Sequence, residues 1–447
     1  MKKKFIAKYG FSMQEWQSCL KVLRQLKNNP FLNPDNDTLG GLISKLYKDA
    51  RKRIRQENIT KKKRADQALK NKTYIFQRND ETIKQLPIPP SFVKKNSLLH
   101  SPNNCYICKK KYYNLHFFYH LLCPDCAAIN YQKRQQTTDL SNRIALITGG
   151  RIKIGFELAL MLLRDGAAVI VTTRFPEDAR RRYAAQKDYE QWKDCLHIYG
   201  LDFRNIVGVE AFITHIQEQF DYLDLLINNA AQTIKRPLEY YQHLLANEKK
   251  NYLLEVEQST NALVLSHPDF PNNEVDKDGI QVDLRPKNSW VEKLEDVSAL
   301  EMIEVQLVNT TVPFMLNSRL KTSLLNSPHE RKFIVNVSAV EGQFNRKYKS
   351  ANHPHTNMAK AALNMMTRTS AQDYALNSIF MTSVDTGWIT DEKPHPSKQA
   401  NRNKGFVTPL DIVDGAARIY HPIVDGLEKE EAPYLGVFLK DYRVVEW

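Results

Sequence analysis

A glycine-containing turn between an apolar strand and an amphipathic helix constrains this chain more than any other feature. The apolar run from Ile144 to Ile147 leads into the turn, and an apolar-periodic segment runs on from Phe156 to Leu163. This order predicts a strand, a tight turn and a helix. Backbone amides at a helix start, with the helix dipole behind them, favour phosphate. We therefore expect a phosphate-binding turn that includes Thr148, Gly149, Arg151, Lys153, Ile154 and Gly155.

Further apolar runs follow the turn, and each ends in polar or small residues. The runs at 167–171, 196–201, 223–227 and 333–337 end in Thr172-Thr173-Arg174, Asp202, Asn228-Asn229-Ala230-Ala231 and Ser338-Ala339. Apolar strands that alternate with amphipathic helices predict a parallel α/β sheet with ligands at the carboxyl ends of its strands. Such residues are therefore expected to gather along one edge of the sheet.

With these motifs, residues 139 to about 447 resemble the short-chain dehydrogenase/reductases. The resemblance covers roughly two thirds of the chain. It implies the α/β class, with a doubly wound parallel Rossmann sheet, and an oxidoreductase that uses a nicotinamide dinucleotide. The substrate cannot be read from the sequence, because the segments expected to form its pocket match no known pattern.

The end of the second strand favours NADP over NAD. A protein that prefers NAD would place an acidic residue there, whereas this chain has Thr173 followed by Arg174. A guanidinium can bind a 2′-phosphate through two hydrogen bonds. Arg151 is a second candidate for the same contact. The resemblance further assigns cofactor contacts to Asp202, Asn229, Ala230, Lys360, Gly387 and Thr390.

The expected proton relay is altered. In the family, a tyrosine exchanges a proton with the substrate, a lysine four residues later lowers the tyrosine's pKa, and a serine and an asparagine assist. Alignment on Lys360 leaves Thr356 at the tyrosine position and Ala339 at the serine position, with Ser338 one residue earlier. Asn309 matches the asparagine. An aliphatic hydroxyl is a poor general acid at neutral pH, so Thr356 cannot simply replace the phenol.

Two histidines, His353 and His355, lie just before Thr356. An imidazole side chain in general titrates in the range that proton transfer near neutral pH requires. We predict that His355 is the proton donor, aided by Lys360. Three alternatives stay open: Tyr348 is the donor, the stretch His353-Pro354-His355 is only a turn, or the protein binds a dinucleotide without catalysing hydride transfer.

Two Cys-x-x-Cys pairs, separated by fourteen residues, predict a structural zinc site. Their spacing lets four thiolates meet one tetrahedral ion. The predicted ligands are Cys105, Cys108, Cys123 and Cys126. Disulfides or a redox pair are the alternatives, and an intracellular setting disfavours disulfides.

We predict three regions: a basic helical region over 1–86, a zinc ribbon or knuckle over 87–137, and a Rossmann domain over 138–447 with an insertion at about 235–297. Residues 1–140 hold 28 basic and 10 acidic side chains, which gives this region a net charge of +18. The whole chain has a net charge of +14, so the remaining residues carry −4. Such an imbalance suits an acidic protein or nucleic acid, although a solvated helical face is the simpler interpretation. A homodimer is plausible from the resemblance.

No apolar run approaches the ~20 residues that span a bilayer. The basic start, Met1-Lys2-Lys3-Lys4, is not followed by an apolar signal-peptide core. We therefore expect an intracellular protein that is not secreted, located in the cytoplasm or in the lumen of an organelle.

Overall fold

The computed structural model of the protein describes residues 8, 10–28, 36–78, 97–246, 248, 268–271, 274–276 and 279–447. The chain divides into two compact units, Met1–Ala68 and Leu69–Trp447. The predicted boundary between residues 86 and 87 lies outside the described residues, and so does much of the predicted insertion.

The described residues of the N-terminal unit include helix α1 (Met13–Asn28) and most of helix α2 (Asn36–Lys70). A capping box starts α1. The amide of Ser12 donates to Glu15 Oε2 at 2.6 Å, and the amide of Glu15 donates to Ser12 Oγ at 3.2 Å. Several cations of α2 recur three or four residues apart, which places them on one side of the helix. These exposed residues are Lys45, Lys48, Lys52 and Arg55.

The four cysteines lie in a small module at the start of the second unit. We call residues 74–78 and 97–133 the cysteine module. Its elements are α3 (Tyr74–Arg78), β1 (Ser97–Asn104), β2 (Lys111–Leu115) and α4 (Pro124–Lys133), and β1 pairs antiparallel with β2. Its aromatic core around Phe118 and Tyr119 continues into Ile389, Val407 and Leu410. The module therefore shares a hydrophobic core with the C-terminal part of the chain.

An eight-stranded sheet forms the centre of the second unit. Its spatial order is β10-β9-β8-β7-β6-β3-β4-β5. The strands are β3 (Ile144–Thr148), β4 (Ala168–Thr173), β5 (Leu196–Gly200), β6 (Leu225–Asn228), β7 (Lys332–Ser338), β8 (Ile379–Asp385), β9 (Phe438–Lys440) and β10 (Arg443–Val445). Strands β3 to β9 run parallel, and β10 returns antiparallel beside β9. Strands β4 and β5 lie on one side of β3, and β6 to β10 lie on the other. The strand order therefore switches between β3 and β6, which opens a crevice at the carboxyl ends of these two strands.

Helices cover both faces of the sheet, so the predicted doubly wound parallel α/β fold is confirmed. They are α5 (Lys153–Arg164), α6 (Pro176–Ala184), α7 (Tyr189–Trp192), α8 (Ile206–Gln219), α9 (Gln242–Leu245), α10 (Ala299–Gln306), α11 (Val312–Arg319), α12 (Lys321–Leu325), α13 (Pro354–Ala375), α14 (His395–Asn403) and α15 (Ile412–Glu428). Helices α5, α6 and α15 share one core with the sheet, and α8, α11 and α13 share the other. Among the described helices, none combines the length and the apolar character that crossing a membrane requires.

A buried ion-pair network joins the cysteine module to α15. The guanidinium of Arg134, which directly follows α4, lies 2.5 Å from Asp411 Oδ1 and 2.9 Å from Asp414 Oδ1. Tyr119 donates a hydrogen bond to Asp414 Oδ1 at 2.6 Å. Burial opposes ionisation of Asp411, but the charge of Arg134 holds the pKa of that carboxyl below its usual value. Since buried charges are costly unless paired, the network ties the two elements together.

Replacement of Arg134 should destabilise the second unit. Arg134→Met leaves Asp414 without its ion-pair partner and Asp411 with Arg78 alone, and we expect the free energy of unfolding to fall by about 3–5 kcal/mol in urea denaturation. The control Arg164→Met removes an ion pair with Asp188 in which the arginine side chain is 46% exposed. That change should cost at most about 1 kcal/mol. Equal losses for the two variants would contradict the structural role of Arg134.

Candidate active site and metal centre

The turn between β3 and α5 has a close packing that only glycine permits. Gly149 has a φ of +72°, and a Cβ at Gly155 would lie 2.3 Å from the carbonyl oxygen of Gly149. Any side chain at Gly155 would force the turn apart. Helix α5 begins after Ile152 without a side-chain cap, so its first amides remain available to an anion.

Hydrogen bonds fix this turn to the end of β6. Thr148 Oγ1 accepts from the amides of Asn229 and Ala230, each at 2.9 Å. In return, Asn229 Nδ2 donates to the carbonyl oxygens of Thr148 at 2.9 Å and Gly149 at 3.1 Å. The side chains of Thr148 and Asn229 therefore hold the turn and the end of β6 together.

Lys153, the first residue of α5, has a left-handed backbone with a φ of +53°. Side-chain-bearing residues rarely adopt this conformation. Its ammonium lies 3.3 Å from Glu392 Oε1, which also accepts from Thr390 Oγ1 at 2.6 Å. Despite burial, the charges of Lys153 and Lys398 hold the pKa of Glu392 well below its usual range. The ion pair connects the turn with the segment that follows β8.

Two guanidinium groups lie near the end of β4. Arg174 Nη2 donates to the Tyr241 hydroxyl at 2.9 Å, and its guanidinium lies 4.6 Å from the centre of that ring. Arg151 pairs with Asp178 at 2.6 Å. Burial, together with the nearby charges of Arg182 and Arg174, lowers the pKa of Arg151. This crowding of positive charge favours an anion at the end of β4.

Thr173 ends β4 beside these arginines, and Asp202 follows the neighbouring strand β5. The hydroxyl of Thr173 accepts from the amide of Phe175 at 3.1 Å. Asp202 is held by Arg204, whose Nε lies 3.0 Å from Oδ1 and whose Nη2 lies 2.5 Å from Oδ2. Burial opposes ionisation of Asp202, but its hydrogen bonds with Arg204 lower its pKa.

A single cleft of about 1060 Å³ runs along the carboxyl ends of the strands. Ligand pockets typically measure about 300–1,000 Å³, so the cleft is large enough for an extended ligand. It brings together most of the predicted site residues: Gly149, Arg151, Lys153, Ile154, Gly155, Thr173, Arg174, Asp202, Asn229, Ala230, Ser338, Thr356, Lys360, Gly387 and Thr390. Thr148, Asn309 and His355 are not among the described residues that line the cleft.

Lys360 lies at the floor of the cleft. Its ammonium donates to the carbonyl oxygen of Val337 at 2.7 Å. Burial lowers its pKa to about 8, although the charge of Glu341 acts in the opposite direction. The amine is therefore mostly charged at neutral pH. Gly342 allows this arrangement, because a Cβ there would lie 2.6 Å from the backbone carbon of Lys360.

Asn309 lies in one turn of π-helix, Leu307–Thr311, between α10 and α11. Such turns are frequent at functional sites. Its Oδ1 accepts from the amide of Gln232 at 2.6 Å, and its Nδ2 donates to the carbonyl oxygen of Gln232 at 3.1 Å. Asn309 thus fixes the backbone that follows Ala231.

The position of His355 argues against its predicted role as proton donor. Its ring is 1% exposed, and its Nε2 lies 3.5 Å from Glu301 Oε1, behind the wall of the cleft. A general acid must reach the substrate directly or through one water. Residue 355 follows the proline that starts α13, and its side chain consequently packs against α10.

His353, two residues earlier, does line the cleft. Its ring stacks on Trp290, with centroids 4.0 Å apart and planes inclined by 14°. The amide of His353 donates to the carbonyl oxygen of Glu292 at 2.7 Å, and its φ is +43°. Its Nδ1 has no hydrogen-bond partner among the described residues. Burial lowers the pKa of this imidazole.

Tyr106 also lines the cleft, although it belongs to the cysteine module. Its hydroxyl accepts from the amide of Trp388 at 2.9 Å. Burial raises the pKa of Tyr106 to about 12. Tyr106 carries no signal for this place in the sequence, because only the folded chain brings the segment between Cys105 and Cys108 next to the end of β8.

Comparisons with known proteins decide the family. A sequence profile for short chain dehydrogenases matches residues 143–251. An uncharacterized protein of Acanthamoeba polyphaga mimivirus is 30% identical over 347 residues, which cover 74% of this chain and 72% of that protein. The chain belongs to the short-chain dehydrogenase/reductase family.

Other relatives of this short-chain dehydrogenase/reductase have described activities. Carbonyl reductase (NADPH) 1 of Sus scrofa is 23% identical over 314 residues, which cover 69% of this chain and 95% of the relative. Among solved structures, an NADPH-bound carbonyl reductase from chicken fatty liver has 18% identity and a TM-score of 0.44, and it covers 69% of this chain and 99% of its own.

Ala339 and Thr356, the residues at the predicted serine and tyrosine positions, both line the cleft. Ser338, beside Ala339, donates its hydroxyl to the carbonyl oxygen of Lys360 at 3.3 Å. Thr356 Oγ1 is buried without a hydrogen-bond partner among the described residues.

The four predicted metal ligands of this short-chain dehydrogenase/reductase converge. Their sulfur atoms all lie within 4.8 Å of one another, and Cys108 Sγ lies 3.6 Å from Cys123 Sγ. Zn–S bonds of about 2.3 Å place tetrahedral sulfurs about 3.8 Å apart, so the arrangement is compatible with zinc. All four are free thiols, as are Cys19 and Cys195.

We expect the purified protein to hold about one zinc ion per chain, because four convergent thiols form a closed structural site. Elemental analysis by mass spectrometry measures the metal. Cys126→Ser should lower the zinc content strongly, while Cys195→Ser, which changes an exposed thiol, should leave it unchanged. Full zinc content in Cys126→Ser would refute this assignment.

Proposed function

We propose that the protein is an NADP(H)-dependent oxidoreductase with an altered proton relay. The observation that carries the proposal is the cleft itself, which joins an open helix start at Lys153, a cationic end at Arg174 and the buried amine of Lys360. The similarity to carbonyl reductase (NADPH) 1 supports a carbonyl compound or its alcohol as the substrate.

The residues present fit a dinucleotide. The uncapped amides at the start of α5 would hold its diphosphate, which would compete with Glu392 for the ammonium of Lys153. Lys360 would hold the ribose next to the nicotinamide. The bound dinucleotide would supply or accept a hydride there. The turn at Gly387 would contact the carboxamide.

Arg174 and Arg151 support NADP(H) over NAD(H). A 2′-phosphate carries charge that would relieve the repulsion between these two guanidinium groups. Tyr241 keeps Arg174 in place through its hydroxyl and its ring.

Replacement of Arg174 should separate the two cofactors. Arg174→Ala removes the charge-assisted contact to the 2′-phosphate, and we expect NADPH to bind about ten- to a hundredfold more weakly. NADH affinity should stay within about twofold, because NADH lacks this phosphate. Fluorescence titration of the two reduced cofactors measures both constants.

Arg180→Ala is the matched control, because Arg180 lies on α6, pairs with Glu177 and stands outside the residues that line the cleft. NADPH affinity that is equal in Arg174→Ala and Arg180→Ala would show that Arg174 does not read the 2′-phosphate.

His353 is our choice for the proton donor, because it is the one histidine among the described residues that line the cleft. In carbonyl reduction its protonated ring would give a proton to the substrate oxygen and regain one from solvent. Lys360 would stay charged below pH 8 and would stabilise the developing negative charge. Tyr348, which is exposed at the mouth of the cleft, is the remaining candidate from the sequence.

The pH dependence tests this choice. Burial lowers the pKa of His353 below its usual 6.5, so the donor form increases as the pH falls through that lower value. The rate of carbonyl reduction should therefore rise toward acidic pH. His353→Gln should lower the rate by about 10²–10⁴-fold and flatten this part of the profile.

The paired variant His355→Gln should keep the acidic rise, because residue 355 does not line the cleft. NADPH consumption with a panel of aldehydes and ketones provides the assay. The assignment fails when His355→Gln, rather than His353→Gln, loses the pH-dependent rate.

A second function is a dinucleotide-binding sensor or scaffold without redox chemistry. The enclosed hydroxyl of Thr356 and the absence of a hydroxyl at Ala339 favour it. Tight NADPH binding without consumption of any carbonyl in the panel would select this function over the first. In this case Arg174→Ala would still weaken the binding of NADPH.

The partners predicted for the N-terminal region stay predictions. The cations along one side of α2 fit an acidic protein or nucleic acid. A homodimer and an intracellular location likewise rest on the sequence alone.

A further inference from the structure

The cysteine module reaches into the cleft at one point. Tyr106 stands between the ligand candidates Cys105 and Cys108, and its hydroxyl accepts a hydrogen bond from the amide of Trp388. Trp388 directly follows Gly387, where the chain leaves β8 with a φ of +80°. A backbone amide in such a loop needs a partner, and here a side chain from the cysteine module provides it.

Further contacts connect the same loop to the module. His120 Nε2 lies 3.2 Å from the carbonyl oxygen of Val407. Ile389, Val407 and Leu410 belong to the module's own hydrophobic core. Thr408 donates to the carbonyl oxygen of Ile389 at 2.9 Å, which joins the two ends of the loop. The segment from Gly387 to Leu410 therefore rests on the cysteine module.

The segment 105–108, which we call the cysteine knuckle, in turn holds Tyr106 in place. The amide of Cys105 donates to the carbonyl oxygen of Lys110 at 2.9 Å, and the amide of Tyr106 donates to that of Leu121 at 2.8 Å. On the other side, the ammonium of Lys440 lies 5.7 Å from the centre of the Tyr106 ring and 3.5 Å from Asp385 Oδ2 at the end of β8. The ring is thus held between the cysteine knuckle and the sheet.

We propose that the metal-bound knuckle forms part of the wall of the active site, with Tyr106 as a positioning residue for the loop that begins at Gly387. This inference rests on the proposed function in one respect, namely that this loop contacts the nicotinamide end of the cofactor. Metal binding then supports cofactor affinity, because the ion holds the backbone on either side of Tyr106. A module that only stabilises the fold would not affect the Trp388 amide in particular.

The variant Tyr106→Phe tests the inference in the full-length chain. It keeps the ring and all four thiols and removes only the hydroxyl that holds the Trp388 amide. We expect faster hydrogen exchange in the segment 386–393 and a rise in the NADPH dissociation constant of about two- to tenfold, the factor that one hydrogen bond contributes. The control Tyr113→Phe changes a 49% exposed tyrosine of the same module and should alter neither quantity.

Both readouts are needed. Hydrogen exchange in segment 386–393 requires no cofactor, so it decides the positioning role even where the wild-type chain binds no NADPH and the proposed function fails. Unchanged exchange in Tyr106→Phe overturns the inference. Faster exchange with unchanged NADPH affinity overturns its link to the cofactor.

Removal of the metal tests the second half of the inference. A chelator should accelerate exchange in segment 386–393 of the wild-type chain and weaken NADPH binding, while exchange in β3 and β7 stays slow. Unchanged exchange in 386–393 after verified zinc loss overturns the dependence on metal. Should circular dichroism show that chelation unfolds the chain, Tyr106→Phe alone decides whether the knuckle positions the loop.

Discussion

The site depends on the close approach of Gly155 to the carbonyl oxygen of Gly149. No side chain fits at residue 155, since its Cβ would lie 2.3 Å from that oxygen and 2.5 Å from Asn229 Nδ2. This contact lets α5 begin directly beneath the cleft, with its first amides uncapped. It also joins the turn to the end of β6, through the hydrogen bonds between Thr148 and Asn229. Nucleotide binding, and with it every chemical role proposed above, relies on this geometry.

The sequence predicted the sheet well, because its physical signals are local. Apolar runs of about five residues that alternate with amphipathic helices indicate a parallel sheet, and the residues after each run gather at its carboxyl edge. Thr173, Arg174 and Asp202 line the cleft for this reason, and Lys360 lines it from helix α13. The four cysteines converge because their own spacing specifies a tetrahedral site.

Contacts between distant segments could not be predicted in this way. Tyr106 and Trp388 are far apart in the chain and carry no shared pattern, so only the packing of the cysteine module on the C-terminal loop brings them together. His353 and His355 look equivalent in the sequence, but His353 stacks on Trp290 in the lining of the cleft, whereas His355 faces Glu301 and does not line it. These tertiary contacts with Trp290 and Glu301 leave no signal in the sequence around residue 353.

The cysteine module and the sheet form one structural unit. The Arg134 network joins them on one side, and the Tyr106 contact joins them at the cleft. A small module with four thiols lacks a large core of its own, and here it completes its core with residues that border the active site. The proposed link between metal content and cofactor binding rests on this shared packing.

The most direct test of this account is a crystal structure of the full-length chain grown with saturating NADPH. We predict that the diphosphate lies over the amides from Gly149 to Gly155. The ammonium of Lys153 should then have moved from Glu392 to a phosphate oxygen. A cleft without the dinucleotide, in which the Lys153–Glu392 ion pair remains closed at saturating NADPH, would contradict it.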